Sequence, residues 1–261
     1  MFRASPFHLV DQSPWPVFAS LCAFLVAGGF IFLMHLKISF LVFLGCAFLS
    51  LISLLWWRDV VRESSYLGFH MTMVRQGLRI GMLLFIVSEI FFFLGFFWTL
   101  FHSSLAPVLE IGGVWPPFYL EVLDPLGVPL LNTVVLLCSG VSVTFSHHSV
   151  IGYDFRGGVL GLTLTLGLGA FFTGLQGMEY FESSFNISDS VYGSVFFMAT
   201  GFHGFHVIVG SIFLGVNLFR MWGGHSSGFQ HVGYECGIWY WHFVDVVWIF
   251  LYVSLYWWGS L

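Results

Sequence analysis

The sequence carries very little charge for its length. Only 8% of its 261 residues are charged, while 58% are hydrophobic and 20% are aromatic; a soluble domain has roughly 25% charged residues. The mean hydropathy is +0.90. Thirteen acidic and eight basic side chains cannot cover the surface of a soluble protein of this size. Most of the chain is therefore expected to lie in lipid.

Positive charge and reactive motifs are equally scarce. The net charge is −5 and Lys37 is the single lysine, so no basic run is present and nucleic acid is excluded as a partner. Four cysteines occur without a CxxC pair; small apolar residues in membrane helices are the simplest interpretation, with a disulfide scaffold or a zinc site as alternatives. The sequence also lacks dinucleotide-binding, P-loop, nucleophile-elbow and HExxH motifs.

Seven apolar segments are long enough to cross about 30 Å of hydrocarbon. A very short turn at 35–37 joins the first two, which predicts a tight hairpin, and the Pro- and Gly-rich stretch 103–127 reads as an ordered loop. We therefore predict an all-α polytopic membrane protein that forms one integral membrane domain over 1–261. The predicted spans are 15–34, 38–57, 77–101, 128–146, 158–181, 192–222 and 238–258.

The distribution of basic residues predicts the orientation. Seven spans place the termini on opposite sides of the membrane, and seven of the eight basic residues fall on the N-terminal side. The opposite side has only Lys37. By the positive-inside rule, the N-terminus is expected on the cytoplasmic or matrix side. The start of the chain resembles neither a secretory signal nor a transit peptide.

One face of the fifth span carries a small residue at every fourth position. Such a ridge lets a neighbouring backbone approach closely, so we predict a helix-packing seam. Its members are Gly157, Gly161, Thr165, Gly169, Thr173 and Gly177.

Ionisable side chains deep in a span are costly and need an explanation. Glu89 lies near the middle of the third span; it is either a proton-relay carboxylate or, as we favour, a hydrogen-bonded acid that joins two helices. His242 and Asp245 are separated by i, i+3 in the last span and are expected to form a structural pair. His203 and His206 lie in the middle of the sixth span, where packing or interhelical hydrogen bonds are the default role.

The histidine spacing argues against a haem or catalytic metal in this chain. A transmembrane two-haem cytochrome places two His about four turns apart on each ligating helix, and no span here has such a pair. His203 and His206 could chelate a metal on one helix face, but a catalytic site would need ligands from other helices.

Several long blocks resemble one known family in order and across nearly the whole chain. They include SPWP at 13–16, WWRDVVRES at 56–64, GLRIGMLLFIVSE at 77–89, FFWTLFHSSLAP at 97–107, VPLLNTVVLLCSGVSVTFSHHS at 128–149, ISDSVYGSVFFMATGFHGFHVIVG at 187–210 and WYWHFVDVVWIFLYVSLYWWGS at 239–260. Together they are similar to cytochrome c oxidase subunit III of the mitochondrial type. The resemblance implies seven helices, with helices I–II in 1–72 separated by a phospholipid-holding cleft from the five-helix bundle in 73–261.

The resemblance also implies a function and a location. The chain would be a non-redox, multi-pass subunit of the mitochondrial inner membrane, without a catalytic centre or cofactor of its own. Its N-terminus would face the matrix and its C-terminus the intermembrane space. The partners would be subunits I and II, which hold haem a and copper, and accessory subunits. The subunit would stabilise the catalytic core and sustain proton uptake while the complex transfers electrons from cytochrome c to O2 and pumps protons.

The resemblance assigns roles to individual residues. The acid matching Glu89 reacts with a hydrophobic carbodiimide in the family, as a buried carboxyl in lipid should. The phospholipid-contact positions match Trp57, Arg62, Glu63, His70, Glu89, Arg220 and His225. The sequence departs from the family at Phe69, Gln76, Gly223 and Gly224, which puts individual headgroup contacts in doubt.

Three alternatives remain open from the residues alone. The nearest is subunit III of a bacterial-type haem-copper quinol oxidase. A proton-coupled transporter that uses Glu89 and Asp245 would be expected to show internal repeats and broken helices, which the sequence does not show. An autonomous redox protein would need ligands that the histidine spacing does not supply.

Overall fold

The structure is a computed structural model that describes residues 7–225 and 231–260. Over these residues it is all-helical, and seven helices are long and apolar enough to cross a membrane, which confirms the predicted fold class. They are α1 (Trp15–Leu36), α2 (Phe40–Ser65), α3 (Thr72–Leu105), α4 (Val128–Ile151), α5 (Phe155–Glu182), α6 (Ser190–Trp222) and α7 (Val232–Leu251). A π-helical segment, Tyr252–Trp257, and a 3₁₀ turn, Trp258–Ser260, continue α7, and the loop after α3 contains a 3₁₀ turn at Leu109–Ile111.

Several helices extend well beyond the apolar runs that predicted them. The second run ends at residue 57, but α2 continues to Ser65; the last begins at 238, but α7 starts at Val232. An apolar run marks the residues that belong in hydrocarbon, whereas helical hydrogen bonds continue until a breaking residue or a turn ends them. The extra turns carry Arg62 and Glu63 on α2 and Glu235 on α7.

The chain forms two compact units, Met1–Leu78 and Arg79–Leu261, which divide inside α3. The division predicted after residue 72 stays a prediction. In the first unit, α1 and α2 form the predicted hairpin, with Lys37 in a left-handed conformation (φ 58°) at the end of α1.

Two glycines bring the hairpin helices into backbone contact. A Cβ on Gly29 would lie 2.8 Å from the Val42 nitrogen, and one on Gly45 would lie 3.0 Å from the Val26 nitrogen. Most large apolar side chains of these helices remain exposed, Phe24 at 78% for example. In lipid this exposure carries no hydrophobic penalty, because the acyl chains are as apolar as the side chains.

The small-residue ridge of α5 packs in the second unit over part of its length. A Cβ on Gly161 would lie 2.9 Å from the Ser142 carbonyl oxygen of α4, and one on Gly169 would lie 2.7 Å from the Trp241 indole of α7. A Cβ on Gly177 would meet no atom within 4 Å. The predicted seam therefore holds from the start of α5 to Gly169 and does not extend to Gly177.

Interhelical hydrogen bonds orient α7 against α4. The Trp241 indole donates to the Ser139 hydroxyl at 2.9 Å, and the Trp248 indole donates to the Thr133 hydroxyl at 3.0 Å. All four side chains are buried. Such bonds satisfy polar groups that lipid cannot satisfy, and they determine which face of α7 points into the bundle.

Candidate functional site

Glu89 on α3 is hydrogen-bonded to His206 on α6. The Glu89 Oε2 lies 2.8 Å from the His206 Nε2, and the Nδ1 of the same ring lies 2.6 Å from the Phe202 carbonyl oxygen. The His206 side chain is 7% exposed and that of Glu89 21%. The carboxyl group thus joins two helices that are far apart in sequence.

The geometry determines how many protons the Glu89–His206 pair holds. A carbonyl oxygen can only accept, so the His206 Nδ1 must carry a hydrogen and donate it to Phe202. One further proton lies between Nε2 and Oε2, either on the carboxyl group of Glu89 or on the imidazole. The pair is electrically neutral in both cases, so no net charge is buried among the apolar side chains.

Aromatic rings surround His206. Its ring centroid lies 5.2 Å from that of Phe93, 6.2 Å from that of Tyr240 and 6.2 Å from that of Phe243. This environment restricts water and strengthens the hydrogen bond to Glu89, because the local dielectric is low.

His203 and His206 point to different partners and do not form a joint metal site. The His203 Nε2 donates to the Val244 carbonyl oxygen at 3.1 Å, while its Nδ1 is buried without a hydrogen bond. That pattern fits a neutral imidazole. The His203 ring packs against Phe172 and Trp248, with centroids 5.6 and 4.9 Å away. Its contacts are those of a helix-packing residue.

His242 and Asp245 face each other across one turn of α7. The His242 Nδ1 lies 3.7 Å from the Asp245 Oδ2, which is longer than a hydrogen bond, and the His242 Nε2 lies 3.3 Å from the Thr144 hydroxyl. Asp245 is buried against Gly140, where a Cβ would lie 2.5 Å from Oδ2. The absence of a side chain at Gly140 therefore makes room for this carboxyl group.

The end of α6 brings Arg220 and His225 together. Gly224 has φ +70°, the His225 amide donates to the Arg220 carbonyl at 3.0 Å, and the Gly224 amide donates to the Met221 carbonyl at 3.0 Å. This is the Schellman arrangement that commonly ends a helix at a left-handed glycine. It folds the chain back, so that the His225 ring lies over Gly223, where a Cβ would be 2.7 Å away.

The Arg220 guanidinium group is half-buried beside the first turn of α7. A Cβ on Gly233 would lie 3.1 Å from an Arg220 terminal nitrogen. The Arg220 Nε is buried without a hydrogen bond. Within residues 7–225 and 231–260, no carboxylate forms an ion pair with Arg220. This guanidinium group can therefore still take an anion as its partner.

The end of α2 has a similar construction in the first unit. Gly68 has φ +69°, and the Phe69 amide donates to the Glu63 carbonyl at 3.1 Å, so the chain turns back over the helix end. The turn places His70 beside Glu63, and His8 joins them: one donor atom from each lies within 4.8 Å of the others. Arg62 and Trp57 on the same helix are exposed, Trp57 at 62%.

Among the described residues, two groups of donors could hold a metal ion. One is His8, Glu63 and His70; the other is His147, His231 and Glu235. Neither was anticipated from sequence, since the residues of each group are separated along the chain.

Comparison with known proteins identifies the family. The sequence profile described as "Cytochrome c oxidase subunit III" matches residues 5–260. The chain is 54% identical over 258 residues to "Cytochrome c oxidase subunit 3" from Scyliorhinus canicula, Coturnix japonica and Danio rerio, and each alignment covers 99% of both chains. The chain belongs to the cytochrome c oxidase subunit III family.

Membership explains the overall properties of the molecule. The chain is a subunit of the respiratory oxidoreductase complex IV and a multi-pass protein of a mitochondrial membrane. It works in a complex with other subunits, and the family lacks redox cofactors. The quinol-oxidase, transporter and autonomous-redox alternatives are therefore set aside.

The structure also contains a buried polar network that the sequence analysis missed. Glu179 Oε1 accepts from the Tyr256 hydroxyl at 2.5 Å and from the Gln176 amide at 3.0 Å, and the Asn132 amide donates to Gln176 Oε1 at 3.3 Å. All four side chains are buried. The available signal was an acidic residue inside an apolar span, since Glu179 lies within the predicted fifth span as Glu89 lies within the third.

Proposed function

We propose that this subunit binds structural phospholipids at two helix ends and, with the Glu89–His206 pair, stabilises the catalytic core and sustains proton uptake. The partners would be subunits I and II, which would hold haem a and copper, and accessory subunits. The lipid-contact residues would be Trp57, Arg62, Glu63 and His70 at the end of α2, and Arg220 and His225 at the end of α6, with Glu89 deeper in the membrane.

The observation that carries this proposal is the environment of the Arg220 guanidinium group. A half-buried guanidinium group without a carboxylate partner among the described residues is unfavourable by itself, and a phosphate diester supplies the missing charge and acceptors. The interfacial position at the last turn of α6 is the depth at which headgroups lie. His225 adds a second donor at the same helix end.

The end of α2 offers a complementary environment in the first unit. His8 belongs both to the group with Glu63 and His70 and to an open apolar groove. The groove has a volume of about 530 Å³, which suits an acyl chain beside a polar headgroup site. Its lining residues are Phe7, His8, Met73, Val74, Gly77 and Leu78.

The proposed orientation places the N-terminus in the matrix and the C-terminus in the intermembrane space. Arg58 and Arg62 lie at the end of α2, Arg79 near the start of α3 and Arg156 at the start of α5. Seven spans put all of these helix ends, together with that of α6, on the N-terminal side. The positive-inside rule assigns that side to the matrix, so both proposed headgroup sites face the compartment from which protons are taken up.

The hydrogen bond between Glu89 and His206 supports the proposed role in proton uptake. One proton lies between the Glu89 carboxyl oxygen and the His206 imidazole nitrogen, and the Glu89 side chain is partly exposed at the protein surface. Such a pair can hold a proton without creating net charge in lipid. We also expect Glu89 to react with a hydrophobic carbodiimide.

Arg220→Gln tests lipid binding, with Arg156→Gln as the matched control because Arg156 is exposed at the start of α5. A charge-assisted hydrogen bond contributes about 1.5–3 kcal/mol, so lipid affinity should fall about 10- to 150-fold. Phospholipid content of the purified complex and the number of turnovers before inactivation should both fall in Arg220→Gln only. Unchanged values for both would show that Arg220 serves topology alone.

A further inference from the structure

Three metal-ligating side chains meet where α4 ends and α7 begins. His147 lies just before the last turn of α4, His231 precedes α7 and Glu235 lies in the first turn of α7. One donor atom from each residue lies within 4.8 Å of the other two. The His147 and His231 rings are 5.5 Å apart at their centroids, in an edge-to-face arrangement. Two imidazoles and one carboxylate therefore converge from two helices.

The carboxylate of Glu235 is already oriented for such a role. Arg79 holds the Oε2, with Nε at 2.8 Å and a terminal nitrogen at 2.7 Å. The other oxygen, Oε1, faces the His231 Nε2 at 3.5 Å, as the i, i+4 spacing along α7 favours. Arg79 thus binds one oxygen of the Glu235 carboxylate and leaves the other oxygen directed at the histidines.

Hydrogen bonds from side-chain hydroxyl groups link the helices next to the ligands. The Tyr234 hydroxyl donates to the Ser146 hydroxyl at 2.6 Å, and Ser146 in turn donates to the Gly158 carbonyl at 2.5 Å. Ser146 and Tyr234 are the sequence neighbours of His147 and Glu235, so these bonds connect α4, α5 and α7 at the level of the donor set. The His147 Nε2 is buried without a hydrogen bond.

We propose that His147, His231 and Glu235 form a binding site for a Zn²⁺-type divalent cation. Zinc is bound by neutral imidazole at about 2.0–2.1 Å and by carboxylate at about 2.0–2.2 Å, so tetrahedral ligand atoms lie roughly 3.3 Å apart. The separation of 3.5 Å between His231 and Glu235 is already close to that value. Small movements of the His147 side chain complete the set.

The donor set determines the character of the site. Two His and one Glu leave a fourth position open for water or for an anionic ligand. Hard cations such as Mg²⁺ and Ca²⁺ prefer all-oxygen sites, so the two imidazoles select against them. Both helix ends lie at the water-facing border of the spans, where a cation can enter from solution.

This site is separate from the Glu89–His206 pair and does not depend on the proposed lipid binding. Arg79 lies ten residues before Glu89 on α3, which is roughly 15 Å along the helix axis. The bound cation would join α4 to α7 directly and, through Arg79, α3 as well.

The test is equilibrium binding of ZnCl₂ to the purified intact complex, compared between the wild-type protein, His231→Gln and His148→Gln. His148 is the matched control because it is the exposed neighbour of His147 and lies outside the donor set. We expect His231→Gln to lose one zinc equivalent per complex, with an affinity at least about 100-fold weaker. His148→Gln should keep it. Equal stoichiometry in all three proteins would overturn the proposal.

A second measurement applies even if the variants fail to assemble. Crystals of the wild-type complex soaked in ZnCl₂ should show an anomalous difference peak at the zinc edge, within about 2.2 Å of His147, His231 and Glu235. No peak at this position, in crystals whose other zinc positions are occupied, would refute the site.

Discussion

The hydrogen bond between Glu89 and His206 can be tested by two substitutions that differ only in hydrogen bonding. In Glu89→Gln the amide nitrogen can donate to the His206 Nε2, because Nδ1 keeps its hydrogen on the Phe202 carbonyl. In Glu89→Leu no donor remains, and Nε2 is left in a ring of aromatic side chains. An unsatisfied buried acceptor costs about 1–3 kcal/mol.

This difference predicts separate outcomes for the two variants. Glu89→Gln should assemble with nearly wild-type thermal stability, while Glu89→Leu should shift the unfolding equilibrium of the subunit about 5- to 150-fold toward the unfolded state. The assay is thermal unfolding of the subunit in the detergent-solubilised complex. Phe91→Leu is the control, because Phe91 is 67% exposed on the same helix.

Proton uptake provides the second readout for these variants. Gln cannot release the shared proton, so Glu89→Gln should slow proton uptake although it keeps the structure. If Glu89→Gln and Glu89→Leu were equally destabilised, the hydrogen-bond reasoning would be wrong. If Glu89→Gln took up protons at the wild-type rate, the pair would be structural only.

Two further predictions concern the bundle. Gly161→Ala should lower the free energy of unfolding by about 1–3 kcal/mol, because the added Cβ would lie 2.9 Å from a backbone carbonyl oxygen of α4. In the control Gly167→Ala, the added Cβ meets no atom within 4 Å. That variant should leave the free energy of unfolding unchanged or raise it by up to about 1 kcal/mol. Equal unfolding in the two variants would contradict the packing seam. Tyr256→Phe removes a donor to Glu179 and should cost about 1–3 kcal/mol, while exposed Tyr119→Phe should be neutral in the same thermal assay.

The family resemblance named the full set of proposed lipid positions. Gly223 and Gly224 looked like departures that weakened the headgroup contacts after α6. In the structure, Gly224 adopts the left-handed conformation that places His225 next to Arg220. Gly224 therefore has a conformational role that composition could not reveal.

The spacing of residues along the sequence predicted contacts only between residues of the same helix. The i, i+3 separation of His242 and Asp245 predicted their proximity, but their 3.7 Å separation and the contact of His242 with Thr144 depend on the neighbouring helix α4. The ridge on α5 was visible in the sequence, whereas its end before Gly177 depends on where the neighbouring helices contact it.

The sequence by itself determined that most of the chain lies in lipid, how many times it spans the membrane and to which family it belongs. Few charges and seven long apolar runs leave lipid as the suitable environment, because so much apolar surface would be too costly to expose to water. Only the tertiary structure decided which side chains meet. Glu89 and His206 are 117 residues apart, and His147 on α4 meets His231, which precedes α7. Helical periodicity specifies a face on each helix, but the rotation and register between helices come from close packing at glycines and from indole hydrogen bonds, which are three-dimensional properties.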